Sequence, residues 1–366
     1  MLALSAASAP GAETATANDT ARFLAGLPPA PDSPLAVLAT TPLWQQHERY
    51  FNAMFGQEER SALGKIRTFS QERLPDDHRT LLYMFSGPDF LYANAFFPHA
   101  PTYILSGLEP VGEVPQLARL AYPTLEWTLR KTEDSLGSLL SFSFFITRKM
   151  KAQLHGGPVY GTLPILYVFL ARSGKTIREV SFVHIDADGT IQAPSEAGAD
   201  RPSESAANGV KIAFTDANGD WQTLYYFSTN LANDSVKRSG FLAFCEKFGL
   251  ADSFLKSASY LLYGGGFSNV RNFMLDHSAT ILEDDSGIPL AYFEPRQWQL
   301  QPIGRYLGPI AEFARHYQPA MAQLFRIGNP VPIDFGVGYR WRRNESNLLL
   351  AHRIAPATSE IQLAPH

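Results

Sequence analysis

Residues 80–112, TLLYMFSGPDFLYANAFFPHAPTYILSGLEPVG, constrain the fold more than any other part of the chain. Two short apolar runs, 81–85 and 103–105, each end in a turn of small residues that carries an acid. The first turn is Ser86-Gly87-Pro88-Asp89 and the second is Ser106-Gly107-Leu108-Glu109-Pro110. Residues 90–97 between them have room for a turn or two of helix. The stretch therefore predicts strand, short helix, strand. About fifteen residues separate the strands, enough for a parallel crossover. Asp89 and Glu109 then share the C-terminal edge of a sheet, where open α/β folds bind their ligands.

Asp89 has two readings. Ser86 followed three residues later by an acid, with Pro88 between, is a capping-box-like helix start. The other reading is a ligand contact. Glu109 precedes Pro110, so its backbone is expected to be extended. Its neighbours Leu108 and Val111 are apolar. A carboxylate there must find water, a cation or hydrogen-bond donors, because an unpaired buried charge is very costly. Asp89 and Glu109, assisted by His99, form the candidate catalytic set, and Ser86 and Tyr92 are candidate ligand contacts. Farther along, Arg148 and Lys151 end a basic helical stretch, an arrangement that also complements a helix dipole. Arg271 follows Gly264-Gly265-Gly266, and glycines before a helix can hold an anion, although a plain helix connection fits them as well. Arg340 alternates with Trp341 and Arg342 near the C-terminus. These four basic residues complete the candidate contacts for a small polar or anionic ligand.

The 366 residues are 45% hydrophobic and 18% charged, which supports a sizeable core and argues against general disorder. A formal net charge of −4 leaves no electrostatic footprint for nucleic acid at the level of the whole chain. The single cysteine, Cys245, excludes an intramolecular disulfide and a zinc site built on several cysteines. It shares an expected apolar helix face with Phe241, Phe244 and Phe248, which makes it a core residue. No apolar window reaches the length of a membrane span. No G-x-S-x-G elbow, H-E-x-x-H pair, Walker A loop or dinucleotide fingerprint is present. No cofactor and no metal is therefore expected. The loop from Asp216 to Asp220 resembles half a calcium loop, but its sixth position is Trp221 and its twelfth is Phe227, so it reads as a turn.

The remaining pattern predicts a single α/β (or α+β) domain over residues 21–355. Its sheet is mixed, with a parallel βαβ core, antiparallel hairpins and covering helices. Helices are expected over much of 20–60 and 117–155, the second region broken by a cap at Ser135. The apolar run 162–172 and the alternating run 176–185 read as a hairpin, and 194–209 as a surface loop. A second hairpin joins 210–215 to 221–228. Residues 241–248, 253–263 and 269–275 read as helices, and 280–283 with 290–293 as a third hairpin. A strand at 298–302, a helix at 309–326 and two short strands in 335–352 complete the expectation. Residues 1–20 are rich in Ala, Ser and Thr and read as a leader or the remnant of a secretory signal. Residues 356–366 read as a tail.

The segments YMFSGPDFLYANAFFP, YILSGLEPVG, GVKIAF with LYYFS, ILEDDSGIPLAYF, and FGVGYRW with NESNLLLA together resemble a family of uncharacterised exported bacterial proteins. The resemblance spans about residues 44–352 and implies a periplasmic or secreted location; a cytoplasmic one follows if the leader is no signal remnant. It implies no activity, so no functional residue is carried over. Three functions stay open: a protein binding a small polar ligand at the edge carrying Ser86, Asp89 and Glu109; a hydrolase using Asp89 and Glu109 as an acid/base pair; and a structural or interaction protein of the envelope.

Overall fold

A computed structural model of the chain describes residues 14–114, 116–142, 160–193 and 207–354. Its ten strands are β1 (Leu81–Tyr83), β2 (Thr102–Gly107), β3 (Thr176–Ile185), β4 (Ile191–Gln192), β5 (Ala207–Thr215), β6 (Trp221–Ser228), β7 (Ala251–Leu255), β8 (Ser278–Glu283), β9 (Trp298–Gly304) and β10 (Asn347–Arg353). All join one sheet in the order β4-β3-β5-β6-β2-β1-β7-β8-β10-β9. The central strands β6, β2, β1, β7 and β8 pair in parallel. Counted among themselves in chain order, these five run third, second, first, fourth, fifth. That is the start of a doubly wound order, with its reversal between β1 and β7. The β3–β4–β5 meander pairs antiparallel on the β6 side. On the other side β10 lies antiparallel between β8 and β9.

Both faces of the sheet are covered, which is why the parallel strands are apolar at successive positions. Leu81, Tyr83, Tyr103 and Leu105 pack on one face with Phe90 and Phe96 of helix Phe90–Phe96 and with helix Leu163–Arg172. Leu82, Met84 and Ile104 pack on the other with Phe241, Cys245, Val270 and Met274. Helices therefore carry the chain leftward from β1 over one face and rightward from β6 over the other.

Several local expectations are overturned, each by tertiary context. Residues 162–172 form the helix Leu163–Arg172, buried on all sides from Leu163 to Ala171, not a hairpin strand. An apolar run of that length does not separate a buried helix from a buried strand by period. Residues 253–263 are not a helix: Ala251–Leu255 is β7, followed by a tight loop and a 3₁₀ turn at Leu261–Tyr263. Residues 290–293 are a 3₁₀ turn, Leu290–Tyr292, because the free edge of β8 is taken by β10 from the end of the chain. Helix Tyr122–Phe142 runs straight through Ser135. The first helix, Ala17–Leu24, is capped by Thr16 and packs into the core, so the folded part begins before residue 21. Residues 207–209 belong to β5, while 194–206 lie outside the described residues. The helix expected at 309–326 is a 3₁₀ segment, Ala311–His316, followed by helix Pro319–Ile327. Only the second of the two C-terminal strands forms, as β10.

Candidate functional site

The site begins where β1 leaves the sheet. Phe85 and Gly87 both take positive φ, 64° and 56°. This folds the chain back so that Gly87 N donates to Ser106 O at 3.0 Å, at the end of β2. Ser106 N in turn donates to Ser86 Oγ at 3.3 Å. The next strand is tied in the same way: Thr229 N donates to Gly107 O at 2.8 Å. The exits of β1, β2 and β6 thus form one continuous floor.

Gly107 is the residue that lets them meet. A Cβ there would lie 3.0 Å from Gly87 Cα, 2.9 Å from the Tyr226 hydroxyl and 2.8 Å from Glu109 Oε2. The carboxylate of Glu109 is therefore folded back over the floor, and Glu109 is 4% exposed. Tyr226 OH donates to Glu109 O at 2.8 Å, and burial followed by the Glu109 charge raises the phenol well above its ordinary range.

The opposite wall comes from the loop after β7. Ser257, Ser259 and Tyr260 all have positive φ, 54°, 56° and 56°, which is costly for residues with a side chain. The end of β8 holds them there. Ser257 N donates to Asp284 Oδ2 at 2.9 Å, Ala258 N to Ser286 Oγ at 2.7 Å, and Tyr260 OH to Asp285 Oδ2 at 3.0 Å. Burial raises both carboxyls above the usual carboxylate range, and at Asp284 the neighbouring Asp285 adds to it.

Between floor and wall lies an open cleft of about 720 Å³. Phe85, Phe267, Leu108, Leu231 and Leu261 give it an apolar side, with the Phe85 and Phe267 rings edge to face at 5.8 Å. Glu109 is the single charged side chain among the described residues that line it. Two lining hydroxyls, Ser106 Oγ and Ser257 Oγ, are buried and have no hydrogen-bond partner among the described residues. Buried polar atoms are satisfied in the great majority of cases, so two such hydroxyls in one cleft require an explanation.

The expected site residues divide accordingly. Ser86 and Glu109 line the cleft. Asp89 lies behind it at 1% exposure, where Oδ1 accepts from Tyr92 N at 3.3 Å and caps helix Phe90–Phe96. Its Oδ2 accepts from Tyr83 OH at 2.8 Å and lies 2.7 Å from Lys256 Nζ. Tyr92 is part of the same buried network: its OH donates to Glu58 Oε1 at 2.7 Å, and Lys256 Nζ sits 3.6 Å from its ring centroid. Burial raises the Glu58 carboxyl, with the Tyr92 bond and Lys256 opposing that shift. His99 is not brought to Glu109. It precedes β2 and lines a separate cavity at the opposite, N-terminal edge. Arg271 ties down its own glycine loop by donating to Leu262 O at 2.8 Å. Arg340 donates to Gly308 O and Pro309 O. Arg148 and Lys151 lie outside the described residues.

Lys256 and the run Glu283-Asp284-Asp285 were missed from sequence. The second had a signal: the apolar run Ile281-Leu282 entering an acidic, glycine-ended turn repeats the pattern of the first two strand ends. Among the described residues, no group of His, Cys, Asp and Glu is placed to hold a metal ion, and no helix is long and apolar enough to cross a membrane. Compared with family models, curated proteins and solved structures, the chain finds no match.

Proposed function

We propose that this protein binds a small polar molecule in the cleft at the exits of β1, β2, β6 and β7. The observation that carries the reading is the pair of hydroxyls, Ser106 Oγ and Ser257 Oγ, that have no hydrogen-bond partner among the described residues, in a cleft that Glu109 also lines. A ligand that hydrogen-bonds to them removes a cost the protein otherwise carries. Position supports the same reading. The cleft lies at the reversal of strand order, outside the carboxyl ends of the strands, where doubly wound sheets bind ligands. The strained loop after β7 adds to it, because such strain concentrates at binding sites. An acid/base pair of Asp89 and Glu109 has no comparable support, since the Asp89 carboxylate is engaged by Lys256, Tyr83 and the helix it caps.

The test is a thermal-shift screen of sugars, amino acids, nucleosides, nucleotides and inorganic phosphate against wild type, Ser106→Val and Glu109→Gln. Wild type is expected to gain stability with at least one compound by mass action, and both variants to gain less from it. A screen in which nothing raises the wild-type Tm, or in which both variants respond like wild type, overturns the reading.

A further inference from the structure

We infer that the cavity at the N-terminal edge of the sheet is a second binding site, built for a neutral sugar, one hydroxyl of which bridges Asp252 and Arg79. The inference is independent of the cleft and of its ligand.

The strand pattern places Asp252 there. It is the second residue of β7, and side chains alternate along a strand, so it shares a face with Phe254. Phe254 packs on Phe96 and Phe97, with ring centroids 4.9 Å and 6.2 Å apart. Asp252 lies nearer the start of the strand, beyond the end of helix Phe90–Phe96. With Phe96, Phe97 and Ala100 it lines a cavity of about 580 Å³. Its backbone is pinned to the strand beside it, where Asp252 N donates to Thr80 O at 2.9 Å. Arg79, just before β1, lines the same cavity.

The carrying observation is Asp252 Oδ1. Asp252 is 3% exposed, and this oxygen is buried with no hydrogen-bond partner among the described residues. Burial raises the carboxyl to about 6, with Arg79 opposing the shift, so it is ionised at neutral pH. A buried carboxylate oxygen without a donor is costly, and buried polar atoms are satisfied in the great majority of cases. Arg79 Nη1 is 4.0 Å away, beyond hydrogen-bond reach. It donates instead to Asp77 Oδ2, which holds the guanidinium on the outer side.

That separation selects the chemistry of the ligand. A single atom about 2.8 Å from both groups fits between them. It must donate to Oδ1 and accept from Nη1. An ammonium only donates, and it would face the charge of Arg79. A carboxylate or phosphate only accepts, and it would face the charge of Asp252. A hydroxyl does both and carries no charge.

The rest of the cavity decides between a water and a larger molecule. Its volume of about 580 Å³ is many times the roughly 30 Å³ of one water. Leu74, Phe96, Phe97 and Pro98 give it apolar walls, and Gln71, His78 and His99 add side chains that both donate and accept. Apolar walls with a few convergent polar groups are the pattern of a small-molecule site. A sugar ring presents C–H groups to the first set and hydroxyls to the second. His78 also takes φ 50°, a costly conformation of the kind that concentrates at binding sites.

Isothermal titration calorimetry tests this with glucose, galactose, mannose and N-acetylglucosamine, and with glucosamine and glucuronate as charged counterparts. At least one neutral sugar is expected to bind wild type. Asp252→Asn and Arg79→Met should each bind it at least about tenfold more weakly, because each loses a charge-assisted hydrogen bond. A variant that does not fold is replaced by Asp252→Glu or Arg79→Lys, in which the displaced charge should weaken the same sugar. Ser106→Val, changed in the cleft at the other edge, should bind it as wild type does. Binding that is unchanged in the Asp252 and Arg79 variants, or a charged counterpart that binds more tightly than every neutral sugar, overturns the inference. A sugar lost in Ser106→Val and kept in Asp252→Asn also overturns it and assigns that sugar to the cleft. If no sugar binds while another compound of the wider screen binds in a manner dependent on Ser106, the inference fails and the cleft reading stands. If no compound binds, both fail.

Discussion

The two edges of the parallel core both carry polar groups and differ in how those groups are satisfied. At the N-terminal edge a cavity of about 580 Å³ is lined by His78, Arg79, His99 and Asp252 among others. Arg79 pairs with Asp77 and comes within 4.0 Å of Asp252, whose Oδ1 is buried with no hydrogen-bond partner among the described residues. At the C-terminal edge the charges are divided into two layers. Asp89 and Lys256 close on each other behind the floor, while the buried hydroxyls of Ser106 and Ser257, which line the cleft, have no hydrogen-bond partner among the described residues. The inner layer is matched within the protein and the outer layer is not, which separates a supporting structure from a binding surface.

The largest expected effect breaks the inner layer. Lys256→Met leaves Asp89 buried without its cation, and removing one partner of a buried pair typically costs about 3–5 kcal/mol. The equivalent change at the other edge, Arg79→Met, removes a partly exposed partner of a longer contact and should cost about 1 kcal/mol or less. Urea unfolding at neutral pH measures both. Equal costs would mean that the Asp89–Lys256 pair is not what anchors the C-terminal edge.

The N-terminal edge makes its own contribution through pH. Burial raises Asp252 to about 6, with Arg79 opposing the shift. An acid whose folded pKa lies above its unfolded value of about 3.9 binds a proton in the folded state that the unfolded state has lost. Its contribution to stability is therefore greatest at low pH, falls as pH rises from about 4 to about 6, and is constant above. Asp252→Asn should gain on wild type by about 3 kcal/mol across that window, read as the difference between two urea-derived stability profiles. A constant difference would show that Asp252 is not held protonated.

How legible all this was from sequence depends on whether the deciding contact is local. The exits of β1 and β2 were legible because each apolar run ends within a few residues at a glycine turn, and Glu109 could be picked out as an acid among apolar neighbours. That Asp89 serves the helix start was legible for the same reason, but the N-cap is Asp89 itself and not Ser86, whose hydroxyl bonds Gly87 O and the backbone of Ser106 instead. The loop after β7 was not. Phe254, Leu255, Ala258 and Leu262 fall near helical intervals, and what makes Ala251–Leu255 a strand is its pairing with β1 and β8, far away in sequence. The reversal of strand order, and with it the second wall of the cleft, therefore stayed hidden. So did the partner of Asp89, because Lys256 reads as a lone cation in an apolar run until β7 is placed beside β1.

A smaller effect sharpens the comparison within the floor itself. Gly107→Ala forces a methyl against Glu109, Tyr226 and the Gly87 backbone, an overpacking that typically costs about 1–3 kcal/mol. Gly265→Ala, where nothing lies within 4 Å of the added carbon, should stay within about 1 kcal/mol of wild type. Because Gly87 and Gly107 join the two exits, Gly107→Ala should also abolish the ligand-induced Tm rise. Retention of that rise would place the ligand away from the floor.

The smallest effect on stability is the most telling about function. Ser106 and Ser253 are both fully buried serines on strands of the parallel core. Ser253 Oγ shares a hydrogen bond with Ser278 Oγ at 2.7 Å. Ser253→Ala strands that partner and should cost about 1–2 kcal/mol. Ser106 Oγ has no partner among the described residues to strand. Ser106→Ala should therefore leave stability unchanged or raise it by up to about 1 kcal/mol, since it deletes an unsatisfied hydroxyl. The same substitution should weaken ligand binding. Opposite signs on stability and binding at Ser106, set against a plain loss of stability at Ser253, are what a hydroxyl reserved for a ligand produces. A Ser106→Ala protein destabilised as much as Ser253→Ala would show that this hydroxyl has a structural partner, and the carrying observation for the cleft would be gone.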